Sequence, residues 1–181
     1  MKFLINAVNL KYAGGLTVAL NFLQCLRDRQ GFSRHEFHVL APPGANYEAM
    51  ESSSIRVEIV PERVASPIHR LYLDHLWLSR RISALYPDVV FSMGNIALPT
   101  RRPQAVLFMF PYAVYPEERS VWRLLGPFRQ LDYRLRNRVF ARRLRFAQLV
   151  FPQTRTAEAR LRRFYGSRVP RTSVVPAAYT S

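Results

Sequence analysis

Short runs of mainly apolar residues recur along this chain, and most are separated from the next by a segment with helical periodicity. Residues 3–8, 36–41, 55–60, 89–92, 105–110, 148–151 and 172–175 are such runs. Strands that are apolar throughout are those buried on both faces, and their alternation with helices predicts a parallel sheet covered on both sides. Between them, residues 16–29 place apolar side chains at 16, 19, 20, 23 and 26 and stop at Gly31. Ser66-Pro67 opens a helix to about Leu85, with Ser as cap and Pro in the first turn. A long helical pattern covers 119–146, interrupted at Gly126-Pro127, and another covers 154–165 with Gly166 as its stop. A short helix fits 47–50. The expectation is one α/β domain, a Rossmann-like doubly wound parallel sheet of about seven strands and five helices over residues 1–181.

Charge is distributed unevenly. The first hundred residues hold ten Lys/Arg against eight Asp/Glu, whereas residues 101–181 hold seventeen Arg against four acids. Most of the net +15 therefore sits in the later part of the chain, where it favours an anionic partner. The single Cys25 excludes an internal disulfide and any multi-cysteine metal site, and suits a reducing compartment. Residues 3–7 are too short an apolar run for a secretory signal core, and no stretch is long and apolar enough to span a bilayer.

In an open parallel sheet, ligands bind outside the carboxyl ends of the strands. The loops expected there are 9–15, 41–46, 93–98, 110–116, 152–156 and 176–181. The first carries Gly14-Gly15 just ahead of a helix, a place where backbone can approach a ligand and free N–H groups can face an anion. Its spacing fits neither a dinucleotide fingerprint nor a phosphate-binding lysine loop, and a tight turn packed on its helix is an equal reading. Histidines 35 and 38 begin the second strand, at the opposite edge, and His69 and His75 lie within a helix. The pair Glu117-Glu118 suits the first turn of the following helix better than proton transfer. Neither a zinc-protease pair nor a hydrolase serine elbow is present, and no complete acid–base set emerges.

Residues 119–146 combine nine arginines and Asp132 with an apolar stripe of Val121, Trp122, Leu124, Leu125, Phe128, Leu131, Leu135 and Val139. Arg119, Arg123, Arg134, Arg136, Arg138, Arg142, Arg143 and Arg145 crowd the rest. Part of the stripe is expected to cover the sheet, with a solvated basic back. The composition is also that of helices lying on anionic membranes, with Arg119, Trp122, Arg123, Arg134, Arg138 and Arg142 as the contacts. Nucleic acid is the alternative partner, although neither stacking aromatics on a sheet nor a helix-turn-helix pattern is evident.

Met1-Lys2-Phe3-Leu4-Ile5-Asn6-Ala7 with Gly14-Gly15 is similar to the first strand and Gly-Gly loop of the group 1 (retaining, GT-B fold) glycosyltransferase family. Pro87-Asp88-Val89-Val90-Phe91-Ser92 resembles its Pro-Asp strand. Phe151-Pro152-Gln153-Thr154, with a helix ending at Phe164-Tyr165-Gly166, resembles a later segment, and Thr172-Ser173-Val174-Val175-Pro176 its next strand. The resemblance implies the N-terminal, acceptor-binding half of a two-domain enzyme, with the nucleotide-sugar and a paired-glutamate motif held in a C-terminal domain outside this chain. It implies little activity for this half alone. It places Gly14 and Gly15 near the donor diphosphate, and Asn95, Phe110, Tyr112 and Thr154 as acceptor-binding candidates. Phe110-Pro111-Tyr112 stands where many members carry a histidine, so no catalytic residue is assigned. The implied partners are a nucleotide-sugar, a saccharide or lipid-linked acceptor and an anionic membrane, with no metal or other cofactor. The implied setting is cell-surface glycan or polysaccharide synthesis at the inner membrane face.

Overall fold

A computed structural model describes residues 1–32, 34–61, 76–110, 113–115 and 126–176. Seven strands form one sheet: β1 (Lys2–Asn6), β2 (Glu36–Ala41), β3 (Ile55–Ile59), β4 (Val89–Ser92), β5 (Gln104–Phe108), β6 (Leu149–Pro152) and β7 (Arg171–Thr172). Their spatial order is β3-β2-β1-β4-β5-β6-β7, with every pairing parallel. The order reverses beside β1, where the chain first winds toward β3 and then toward β7. Four α-helices are described: α1 (Ala13–Asp28), α2 (Leu78–Leu85), α3 (Pro127–Arg143) and α4 (Arg155–Tyr165). The doubly wound parallel fold expected from the sequence is the one observed, and a one-turn 3₁₀ helix stands at Tyr47–Met50.

Strand alternation divides the core between two faces. Ile5, Phe37, Val39, Ile55 and Leu107 point toward α1, which buries Ala19, Leu23 and Leu26 against them. Each fully buried leucine there contributes about 2 kcal/mol. Leu4, Leu40 and Val90 point the other way and meet Leu78 and Ile82 of α2. Val106, Phe108 and Val150 continue that second face beneath Phe140, Leu144 and Leu161. At the amino-terminal edge, Asp88 locks β4 to β1. Its carboxylate accepts the Lys2 N–H at 2.7 Å, and its own N–H donates to the Lys2 carbonyl at 2.8 Å.

Several boundaries differ from the sequence expectation. β1 ends at Asn6, because Ala7 and Leu10 close a turn through Leu10 N–H to the Ala7 carbonyl at 2.8 Å. α1 begins at Ala13, so Gly14-Gly15 lie inside its first turn rather than ahead of it. β7 is short, but Ser173 and Val175 still donate backbone bonds to Val150 and Pro152 of β6. The helix expected over 66–85 is seen at its end as α2, residues 62–75 lying outside the described residues. The break at Gly126-Pro127 is the start of α3, with Gly126 as cap and Pro127 in the first turn, where its missing N–H costs nothing.

α3 departs most from expectation. Phe128, Leu131, Leu135 and Val139 are 88%, 57%, 50% and 39% exposed, so this part of the stripe does not cover the sheet, and Val121, Trp122, Leu124 and Leu125 lie outside the described residues. The inward side instead carries the partly buried Gln130, Tyr133 and Asn137, and only its last turns bury Phe140 and Arg143. Arg143 is therefore not part of the solvated basic back. It is buried, and its Nη1 donates to the Ala97 carbonyl at 3.3 Å.

Candidate ligand cleft at the carboxyl edge of the sheet

The loops following β1, β4, β5 and β6 meet at the carboxyl edge, as they must when all strands run the same way. The first loop is pinned from below. Tyr47 is fully buried and its hydroxyl donates to the Leu10 carbonyl at 2.8 Å. Burial pushes that phenol well above its ordinary pKa, so it remains a donor. Gly15 is a packing glycine, since a Cβ there would stand 3.0 Å from Leu10 Cδ2. Gly14 is exposed, and a Cβ on it would meet nothing within 4 Å. Ala13 ahead of it adopts a left-handed φ of 54°, and Tyr12 supplies no side-chain cap. The amino end of a sixteen-residue helix is thus uncapped, open and without an acid in its first turn, an arrangement that favours a bound anion. Lys11 stands nearby with its Nζ 5.6 Å from the centre of the Tyr12 ring.

The loop after β4 packs directly on this one. Asn9 lies against Gly94, and Asn95 follows with φ 68°. The Asn95 side-chain oxygen accepts the Met109 N–H, tying this loop to the end of β5. Asn95 therefore sits at the carboxyl edge with its side-chain oxygen engaged. Phe110 stacks on Tyr133 of α3, ring centres 6.0 Å apart and planes 28° apart. Thr154 is the N-cap of α4, its Oγ1 accepting the Ala157 N–H at 3.0 Å. Tyr112 lies outside the described residues, as do Arg119, Trp122, Arg123, His69, His75 and Glu117-Glu118. Arg134, Arg138 and Arg142 are exposed along α3, away from these loops' hydrogen bonds.

Two supports of the cleft are not evident in the sequence. Arg160 of α4 donates from Nε to the Val114 carbonyl at 2.9 Å, with its guanidinium 4.0 Å from the centre of the Tyr115 ring. Tyr165 donates its hydroxyl to the Ala113 carbonyl at 2.7 Å, and burial pushes its phenol up to about 12. Both fix the segment after β5 from α4. The only signal for them was a polar residue at helical spacing in a basic helix. Among the described residues no three His, Cys, Asp or Glu come together as a metal site. On the α2 face, Nε2 of His38 and Nη2 of Arg81 meet Glu58 at 2.7 and 2.5 Å. No helix among the described residues is long and apolar enough to cross a membrane.

No protein-family model matches the sequence, and a search of characterised proteins returns no relative. Among solved structures, the chain is similar to a UGT transferase from Siraitia grosvenorii crystallised in complex with UDP. The TM-score is 0.59 at 14% identity, over 99% of this chain and 52% of that one. The chain thus spans about half of that structure and shares the Rossmann-like, glycosyltransferase-like fold of the part it covers.

Proposed function

We propose that these residues form the acceptor-binding half of a nucleotide-sugar-dependent glycosyltransferase of the group 1 kind, acting on a saccharide or lipid-linked acceptor at an anionic membrane. The nucleotide-sugar is held mainly by a second domain outside these residues, and the uncapped end of α1 at Gly14 and Gly15 lies toward its diphosphate. Asn95, Phe110, Tyr112 and Thr154 border the acceptor. Support for the transferase part comes from the fold likeness along the whole chain and from the open helix end at the carboxyl edge.

The observation that carries the membrane part is α3. Its apolar stripe, Phe128, Leu131, Leu135 and Val139, faces outward, flanked by exposed Arg134, Arg138 and Arg142. An apolar face bordered by arginines matches the acyl and phosphate layers of an anionic leaflet. The stripe begins near the cleft, since Tyr133 of its second turn stacks on Phe110 just beyond β5. A lipid-linked acceptor would therefore enter from the surface on which the helix rests.

Flotation with vesicles tests this reading. Binding should rise with anionic lipid and fall with salt. Equal recovery on neutral vesicles would remove the electrostatic part. A gel shift on duplex or single-stranded nucleic acid with a steep salt slope, and no flotation, would favour the non-enzymatic nucleic-acid module instead. Robust turnover of a nucleotide-sugar by these residues alone would overturn the division of labour.

A further inference from the structure

A concavity lies at the amino-terminal edge of the sheet, at the opposite end from the loops that follow β1, β4 and β5. It has a volume of about 370 Å³ and is lined by Ser79, Ser83 and Tyr86 from α2 and its end, and by Thr100, Arg101 and Arg102 from the segment leading into β5. No carboxylate lines it, and among the described residues neither arginine meets an acid. We propose that this concavity binds a phosphate group, with Arg101 and Arg102 as its cationic partners and the Ser83 and Thr100 hydroxyls as its neutral donors.

Three features point to a built site. The Arg102 guanidinium centre lies 3.4 Å from the centre of the Tyr86 ring. Stacking holds the guanidinium plane and leaves its N–H edge free to fork toward an oxyanion. Thr100 Oγ1 accepts the Arg102 backbone N–H at 3.1 Å, so its own O–H is available to donate outward. Tyr86 itself occupies the position just past a helix end with φ 48° and ψ 55°, where glycine is favoured, and it is 68% exposed. A large exposed aromatic kept in that backbone conformation contributes little to the core, whereas it positions Arg102.

The phosphate can belong to a small soluble molecule or to a lipid headgroup. The segment leading to Arg101 and Arg102 is joined to the basic end of α3 through Arg143 and the Ala97 carbonyl. The two sources separate by experiment, and the inference stands independently of the transferase reading. Binding of glycerol 3-phosphate is measured by calorimetry, and binding to phosphatidylcholine vesicles with and without phosphatidic acid by flotation. The Arg101→Ala/Arg102→Ala variant is compared with an equally discharged control, Arg163→Ala/Arg168→Ala. A loss of at least about tenfold toward glycerol 3-phosphate, confined to the first variant, supports a site for a soluble phosphate. The same selective loss on phosphatidic acid vesicles alone supports a headgroup site. Tyr86→Gly relieves the left-handed backbone, so it should fold at least as stably while binding more weakly. Absence of binding in both arms, or equal losses in the two double variants, overturns the proposal.

Discussion

Asn9 and Gly94 touch at the carboxyl edge: a Cβ built on Gly94 would stand 3.0 Å from Asn9 Nδ2 and 3.2 Å from its Cβ. Two loops that are 85 positions apart are thereby held face to face, and the side chain of the first needs the bare backbone of the second. Gly94→Ala should push Asn9 and the Gly14 turn outward and cost about 1–3 kcal/mol, the usual penalty of overpacking. Denaturant unfolding measures it. In the double variant Asn9→Gly/Gly94→Ala, part of that loss should return, giving a positive coupling between the two positions. Strict additivity would show that the contact does not constrain the edge.

Gln104 organises the irregular crossing between β4 and β5. Its Oε1 accepts from Leu98 N–H at 2.7 Å and Ser92 Oγ at 3.0 Å, and its Nε2 donates to the carbonyls of Leu98 at 3.0 Å and Phe146 at 3.3 Å. It is 2% exposed. Gln104→Leu keeps the volume but leaves a buried hydroxyl and backbone groups without their partner. A loss of about 2–4 kcal/mol is expected in thermal or urea unfolding. A neutral effect would mean that the crossing is held by its apolar residues Ala97 and Leu98 alone.

The ion cluster on the α2 face sets part of the acid limb of stability. Burial alone raises the Glu58 carboxyl, but hydrogen bonds from Arg81 and His38, with their charges, outweigh it and hold it below its ordinary value. A carboxylate depressed in the folded state contributes stability above the unfolded value of 4.5, and that contribution disappears as pH falls through the folded value. Glu58→Gln should therefore flatten the loss of stability below about pH 4.5, as read by unfolding at a series of pH values. An unchanged acid limb would show that other carboxylates govern it.

The strands were legible because their apolar runs carry their own signature: six of the expected runs became strands over most of their length, and the seventh only at Thr172. Helix α4 was legible from Thr154 and Gly166, a cap and a stop that act locally. Contacts such as Arg160 with Val114, 46 positions apart, have no local signature. The start of α1 was misplaced because Ala13 adopts a left-handed φ of 54°, a conformation alanine does not prefer and its sequence does not announce. The orientation of α3 was not legible for a different reason. An apolar stripe at helical spacing looks the same whether it faces a core or a second apolar phase, and only the partly buried Tyr133 and Asn137 reveal which way it turned.

That orientation separates two effects a mutation on α3 can have. Phe140 is 2% exposed and packs on Phe108 and Tyr165, with ring centres 5.3 Å away in each case. Phe140→Ala should destabilise the fold by about 3–5 kcal/mol through the cavity it leaves. Leu131→Ser/Leu135→Ser removes side chains that are 57% and 50% exposed, so the loss of stability should be about 1 kcal/mol per site, well below that of Phe140→Ala. The same double variant should lose most of its recovery on anionic vesicles, because the arginines that remain attract the surface but no longer have an apolar face to insert. Unfolding and flotation performed side by side check both halves. If the serines left flotation intact, or unfolded the chain as Phe140→Ala does, the outward stripe would be a packing surface and the membrane reading would be lost.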